Sequence, residues 1–202
     1  MKKLIKYSFD WIVAFIAILV FLPTLIIPIA LFIKLTSKGP VFFKQKRIGQ
    51  NKKTFYLFKF RTMKIDTPKD VPTHKLKNPE QWITSLGRFL RKTSLDEVPQ
   101  LFNILLGEMS IIGPRPALWN QDDLIAERDK YGVNQLRPGV SGWAQINGRD
   151  TLPIPDKAKL DGEYVKRQSF WFDIYIIFRT ALKMFKDDSV VEGGTGKLGN
   201  DQ

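Results

Sequence analysis

The sequence contains no cysteine and a single histidine, His74. Without thiols there is no disulfide framework, thiolate zinc site, thiol nucleophile or redox switch, and a histidine-based triad has one imidazole to draw on. Catalysis by this chain must rest on carboxylates, lysine and arginine. Acidic residues are absent from Trp11 to Ile65, whereas residues 34–64 carry ten basic ones. Over the whole chain 32 Lys and Arg stand against 20 Asp and Glu, a formal net charge of +12. That balance selects an anionic partner: nucleic acid, an acidic membrane surface or a phosphorylated substrate. What the chain does have is apolar mass. It is 44% hydrophobic and 12% aromatic over 202 residues, enough for one domain with a real core and too much for a disordered polyelectrolyte.

From Trp11 to Ile33 run 23 residues without a charge, which as a continuous helix reach about 34 Å, the thickness of a bilayer core. Pro23 and Pro28 interrupt the run, each removing a helical N–H and crowding the preceding turn. Lys2, Lys3 and Lys6 precede it and Lys34, Lys38, Lys44, Lys46 and Arg47 follow it. A spanning segment places its basic flank on the cytoplasmic side, so one that is basic at both ends has no preferred orientation. A helix that enters, turns at Pro23 and leaves on the same face resolves the conflict; an ordinary transmembrane anchor is the competing reading. A cleaved signal peptide matches the basic start but not the length of the run or the lack of a small-residue cleavage site. The basic block beyond reads as an apron facing anionic lipids, each cation contributing about 1 kcal/mol near such a surface.

Downstream, Pro40-Val-Phe-Phe-Lys44 and Thr54-Phe-Tyr-Leu-Phe-Lys-Phe-Arg61 read as two short strands around Gly49-Gln-Asn, a hairpin in which Lys59 and Arg61 share a face. Residues 66–80 hold three prolines and read as a mobile loop of functional-lid length. Helical patterning is expected from about Trp82 to Arg91, from about Asp96 to Leu106 and over residues 117–131, with loop and strand from Arg137 to Arg149. Phe170 to Phe185 has helical apolar spacing with flanking aromatics, which suits either a membrane-interface helix or an amphipathic core helix. The glycine-rich tail after Asp188 is expected to be disordered. The fold expected is therefore α/β of the mixed α+β, mostly helical kind. It comprises a membrane helix over residues 1–36, a catalytic or interfacial unit over 37–188, and a tail over 189–202.

The most suggestive local feature is Thr93-Ser-Leu-Asp-Glu-Val-Pro99. Ser94 and Glu97 have the spacing of a helix capping box, although a start nearer Asp96 suits Pro99 better. The other reading is chemical. A carboxylate at a helix start is favoured in its ionised form, neighbouring N–H groups can receive a phosphate, and a carboxylate can attack phosphorus. A divalent cation is then needed to bring anion to anion, and with so few nitrogen and sulfur ligands Mg²⁺ held by carboxylate, phosphate and water is the natural choice. Arg115, fixed between Pro114 and Pro116, and Arg149, ending a glycine-bounded run, are pre-organised for bidentate phosphate contacts or for buried ion pairs. From spacing alone both readings stay open.

Four long motifs carry a resemblance: Lys59-Phe-Arg-Thr-Met63, Arg91 through Ser110, Gly113-Pro-Arg-Pro116 and Arg137 through Arg149. Together they resemble the bacterial sugar transferases, the monotopic phosphoglycosyl transferases, over nearly the whole chain, and its length resembles that of their minimal members. The resemblance implies an enzyme on the cytoplasmic face of the bacterial inner membrane. Such an enzyme moves a sugar-1-phosphate from a UDP-sugar to polyprenyl phosphate with release of UMP, in the first membrane step of glycan assembly. It implies that Asp96 is the nucleophile and a Mg²⁺ ligand and that Glu97 is its partner. It also implies that Lys59, Arg61, Arg91, Arg115 and Arg149 bind substrate, and that the membrane helix is re-entrant with its break at Pro23. Small members often have Ser-Pro at the break where this chain has Leu22-Pro23, so here the break rests on Pro23, with Pro28. Asp173 matches a position near the interfacial helix to which no role is attached. UDP-sugar, polyprenyl phosphate and anionic lipids are the partners expected; a homodimer is compatible with this size. A membrane-tethered nucleic-acid binder is the reading from another class, opposed by the absence of a nucleic-acid motif. A membrane-anchored adaptor with a dead site is the third.

Overall fold

A 34-residue helical segment, Lys3–Thr36, opens the structure and is by length and composition able to cross a membrane. The computed structural model describes residues 3–67, 79–148 and 152–186. The segment comprises α1 (Lys3–Phe21), a π-turn (Leu22–Ile26) and α2 (Ile27–Thr36). Pro23 thus widens the helix and does not stop it: the Ile27 N–H reaches back five residues to the Leu22 carbonyl, the usual way a helix absorbs an irregularity. The back-bond that Leu22 cannot make comes from Thr24, whose hydroxyl donates to the Val20 carbonyl at 2.6 Å. The π-turn at Pro23 and Thr24 therefore interrupts the helical ladder without ending the helix.

The inward stripe of α1 is Lys6, Asp10, Ala14 and Ile18, one residue per turn. Ala14 packs against Phe55, Leu57, Ile104 and Met109, while Ile26 and Ile33 join Phe60 and Leu90 in a second cluster. Both halves of the apolar segment are thus seated on the same folded unit. At its amino-terminal end the seating is polar. Lys6 Nζ donates to Asp173 Oδ2 at 2.7 Å and lies 3.5 Å from Asp10. The Tyr164 hydroxyl donates to Asp173 Oδ1 at 2.8 Å, and the Ser110 hydroxyl donates to Asp10. Asp173, to which the sequence attaches no role, is the hub of this buried network. The Tyr164 hydroxyl is driven far above the usual phenol range, first by burial and then by the neighbouring Asp173 carboxylate.

The hairpin forms as expected. Strands β1 (Phe42–Ile48) and β2 (Thr54–Phe60) pair antiparallel with Phe42 opposite Phe60 and Ile48 opposite Thr54. Its turn places Asn51 and Lys52 at positive φ. Helix α3 (Ser85–Lys92) follows, N-capped by the Thr84 hydroxyl, which accepts from the Gly87 N–H at 2.9 Å. Helix α4 (Gln100–Leu105) starts with Pro99 as its cap residue, four positions later than the sequence pattern indicates. Strands β3 (Ser110–Ile112) and β4 (Gly139–Ser141) pair parallel. They approach so closely that a Cβ on Gly139 would lie 2.1 Å from the Gly113 nitrogen. Between them runs α5 (Asp122–Asp129), and after β4 come α6 (Trp143–Ile146), α7 (Ile154–Arg167) and α8 (Phe170–Lys186). The result is mostly helical with two small sheets. Helix α6 lies where strand and loop are expected, and α7 falls in a stretch to which the sequence reading assigns no element.

Helix α8 has one buried and one exposed apolar face, which bears out the amphipathic core reading. Phe172, Asp173 and Ile176 are buried, with Ile176 in the core cluster of Ile112, Leu136, Ile146 and Tyr164. Trp171, Ile174, Ile177 and Phe178 are exposed on the opposite side. Phe170 meets Phe9 of α1 edge to face at 5.6 Å, so this apolar surface continues into the exposed Leu4, Ile5, Ile12, Phe15 and Ile16. A patch of that size on a folded protein marks a membrane or protein contact. Most of the 66–80 loop, namely residues 68–78, and the tail from residue 187 lie outside the described residues.

Candidate active site

The inward face of β2 runs Phe55, Leu57, Lys59: the first two fill the core and the third brings an ammonium to the strand's end. There it meets the turn after α3. Ser94 takes up a left-handed conformation with φ 55°, uncommon for a residue with a side chain, and reverses the chain into a single 3₁₀ turn, Leu95–Glu97. The capping box read at Ser94 is not formed. Its side chain caps nothing, and the Glu97 N–H bonds the Ser94 carbonyl at 3.2 Å. The dyad thus sits in the first turn of a short 3₁₀ helix that leads into α4, and Lys59 brings a cation to both carboxylates. Lys59 Nζ is 2.7 Å from Glu97 Oε1 and 3.6 Å from Asp96 Oδ2. Arg115 Nη1 approaches the same Glu97 oxygen at 3.8 Å.

Side-chain exposures order these groups from solvent inward: Arg115 29%, Glu97 14%, Lys59 12% and Asp96 2%. Lys59, Glu97 and Arg115 line a small cleft together with Gln100, Arg47 and Val140; Asp96 is buried beside it and meets it through Lys59. Two polar residues of this wall, Arg47 and Gln100, are not among the site residues that the sequence suggests. Alternation along β1 holds the signal for Arg47, which pairs in register with Phe55 on the buried face while Lys44 and Lys46 face away. Gln100 lies four residues beyond Asp96 at the start of α4, a spacing too common to be diagnostic.

The remaining expected site residues separate. Arg61, just past β2, turns away from Lys59: its Nη2 donates to the Ser37 carbonyl at 2.9 Å and its Nη1 to the Lys38 carbonyl. It holds the exit of α2. Arg91 Nε donates to the Thr62 hydroxyl at 2.9 Å, tying the end of α3 to the chain after β2. Arg149 lies outside the described residues. Pro23 is within the π-turn.

Among the described residues no group of three or more His, Cys, Asp or Glu forms a metal cage. Two adjacent carboxylates, Asp96 and Glu97, around Lys59 are the donor type that Mg²⁺ takes, since it binds through one or two carboxylates and completes its shell with substrate phosphates and water.

A helix long and apolar enough to cross a membrane is thus seated on a small folded unit that gathers Asp96 and Glu97 around Lys59 and Arg115. Residues 1–187 match the bacterial sugar transferase family, and the chain belongs to that family. It is 41% identical over 191 residues to the UDP-glucose:undecaprenyl-phosphate glucose-1-phosphate transferase of Escherichia coli K12, covering 91% of this chain and 41% of that protein. It is 40% identical over 158 residues to the uncharacterized sugar transferase EpsL of Bacillus subtilis 168, covering 78% and 76% respectively. To the exopolysaccharide production protein ExoY of Rhizobium meliloti it is 37% identical over 191 residues, covering 87% and 83%. The chain spans about two fifths of the length of the curated glucose-1-phosphate transferases it matches.

Proposed function

We propose that this chain transfers a sugar-1-phosphate from a UDP-sugar to a polyprenyl phosphate, at the cytoplasmic face of a bacterial inner membrane. The observation that carries the reading is the adjacent pair Asp96 and Glu97 gathered around Lys59, with Arg115 on the same Glu97 oxygen. The donor's diphosphate is drawn in by Arg115 and Lys59. The lysine, a point charge on a flexible stem, leaves the carboxylates for the phosphate oxygens. An Asp96 carboxylate oxygen then attacks the sugar-bearing phosphorus. The P–O bond of the diphosphate bridge breaks and UMP departs with the bond's electrons, leaving an aspartyl-phosphosugar. A phosphate oxygen of the polyprenyl acceptor attacks the same phosphorus and returns the Asp96 carboxylate, giving the polyprenyl diphosphosugar. Burial of Asp96 keeps water from competing with the lipid for the intermediate. Magnesium bound at Asp96 with substrate phosphates and water would supply charge neutralisation between the approaching anions. The names of the relatives support UDP-glucose and undecaprenyl phosphate as the first pair to try, and exopolysaccharide assembly as the setting.

The test is nucleotide release by detergent-solubilised protein given Mg²⁺, undecaprenyl phosphate and a panel of UDP-sugars, with UMP and UDP detected separately. UMP from one sugar is the expected result. UDP would signify glycosyl transfer and a different mechanism, and no product across the panel would return weight to the adaptor reading.

The same proposal holds that the segment over residues 1–36 is a re-entrant anchor and the rest the catalytic unit. As one straight rod, 34 helical residues would extend about 51 Å, well beyond a hydrocarbon core of about 30 Å. Lys6 near one end and Ile33 near the other are both buried against the same unit, which favours a segment that dips into one leaflet and returns. Single cysteines placed at Lys3 and Lys38 should both react with a membrane-impermeant thiol reagent from the cytoplasmic side only. Labelling from opposite sides would establish a spanning helix.

A further inference from the structure

The cleft arginine stands in the segment Pro114-Arg115-Pro116, whose prolines have no N–H to give, so the segment is held by its carbonyls. Pro114 accepts from the Gly139 N–H at 2.9 Å, Arg115 from Arg128 Nη1 at 3.0 Å and Pro116 from Arg47 Nη1 at 2.9 Å. Ala117 then accepts from the Ile48 N–H at 2.9 Å. Four consecutive carbonyls are anchored from three different elements. Arg128 is the side chain among these donors that does not line the cleft.

Arg128, on α5, is almost fully buried against Asp161 of α7. One carboxylate oxygen, Oδ2, accepts both Nε at 2.9 Å and Nη2 at 2.6 Å. Because the guanidinium is planar and rigid, gripping two of its nitrogens fixes the direction of the third. That third nitrogen, Nη1, meets the carbonyl of the residue whose own side chain faces Glu97. Joining α5 to α7 alone would need no such geometry, since well-packed apolar side chains often replace buried ion pairs without loss of stability.

We propose that Arg128 and Asp161 are positioning residues that set the backbone of Arg115, and through it the guanidinium, for the substrate phosphate. The proposal rests on the reading of Arg115 as a substrate ligand. A misplacement of about 1 Å at a reacting group costs on the order of a hundredfold in rate, so the pair's contribution should appear in kcat/KM.

The experiment is a cycle in the full chain. Arg128→Met with Asp161→Leu removes both charges and keeps apolar volume. It is made alone and in an Arg115→Ala background, and kcat/KM for UMP release is measured with UDP-glucose or the panel sugar that is turned over, beside the thermal unfolding midpoint. The expected result is a loss of about ten- to a hundredfold in the otherwise wild-type chain, within about twofold of no loss once Arg115 is alanine, and an unfolding midpoint nearly unchanged. Arg128→Lys, which keeps a cation on Asp161 but not the fixed third nitrogen, should lose nearly as much; it carries the same comparison if the double replacement does not fold. Equal fold losses in both backgrounds, or none in the first, overturn the positioning role while leaving Arg115 in place. If Arg115→Ala itself costs nothing, or no sugar yields UMP, the underlying reading fails and the positioning role with it.

Discussion

Asp96→Asn should reduce UMP release by at least about a thousandfold, because loss of a covalent nucleophile removes the pathway that the rest of the site serves. The amide is nearly the same size as the carboxylate it replaces and the side chain is buried, so packing is retained. Lys59 keeps its 2.7 Å contact with Glu97, which limits the cost of the lost charge. The substitution therefore separates chemistry from folding better than alanine does. A second measurement makes the result specific. Incubation of the wild-type chain with UDP-sugar labelled in the sugar, without lipid acceptor, should leave label on the protein with one equivalent of UMP released. In the Asp96→Asn chain neither should occur. If label and UMP persist, another group is the nucleophile. If UMP release in the full reaction stays within about tenfold of wild type, the aspartyl intermediate is the wrong mechanism.

How far the sequence can be read divides along physical lines. The hairpin is legible because period-two alternation and a turn signal lie within twenty residues of one another. The apolar segment is legible because charge is excluded from it. The dyad is legible as chemistry only through the motifs around it; by spacing alone Ser94 and Glu97 resemble a cap, and what decides against the cap is a left-handed φ at Ser94 that no pattern announces. Arg61 and Lys59 look equivalent two residues apart. Strand β2 ends at Phe60, and past that point the alternation no longer holds, which sends Arg61 to the carbonyls of Ser37 and Lys38. Contacts of long sequence separation are illegible in principle. Lys6 with Asp173, Arg128 with Asp161 and Arg47 with Pro116 are each fixed by the packing of whole elements. The glycines mark one exception: Gly113 and Gly139 sit where β3 and β4 leave no room for a Cβ, so their presence in two separate motifs already hints that the motifs meet.

Lys6→Met should lower the thermal unfolding midpoint of the solubilised protein more than Asp96→Asn, Arg115→Ala or Arg128→Lys. Lys6 is the cation between Asp10 and Asp173, at 3.5 and 2.7 Å, with all three side chains nearly closed to solvent. Removing it leaves two carboxylates in one buried cluster. Breaking a buried charge pair from one side costs about 3–5 kcal/mol, which for a chain of this size corresponds to a fall of roughly 10 °C. Lys3→Met, on the exposed side of the same helix, is the control and should shift the midpoint by no more than a degree or two, as surface changes do. Adding Asp173→Asn to Lys6→Met should recover part of the loss, since one carboxylate then needs no counter-charge and the amide can still accept from Tyr164. Recovery distinguishes lost compensation from lost packing of the lysine stem, which Asp173→Asn would only worsen. The reason such a charge sits on an otherwise apolar helix follows from the same geometry. Lys6 and Asp10 belong to the stripe that faces the folded unit, whereas Leu4, Ile5, Phe9 and Ile12 face outward. A helix with that division gains its polar contacts only when its amino-terminal end docks on α8 and β3. A chain in which docking is weakened by Lys6→Met should accordingly expose the Lys3 end to protease before the hairpin is cut.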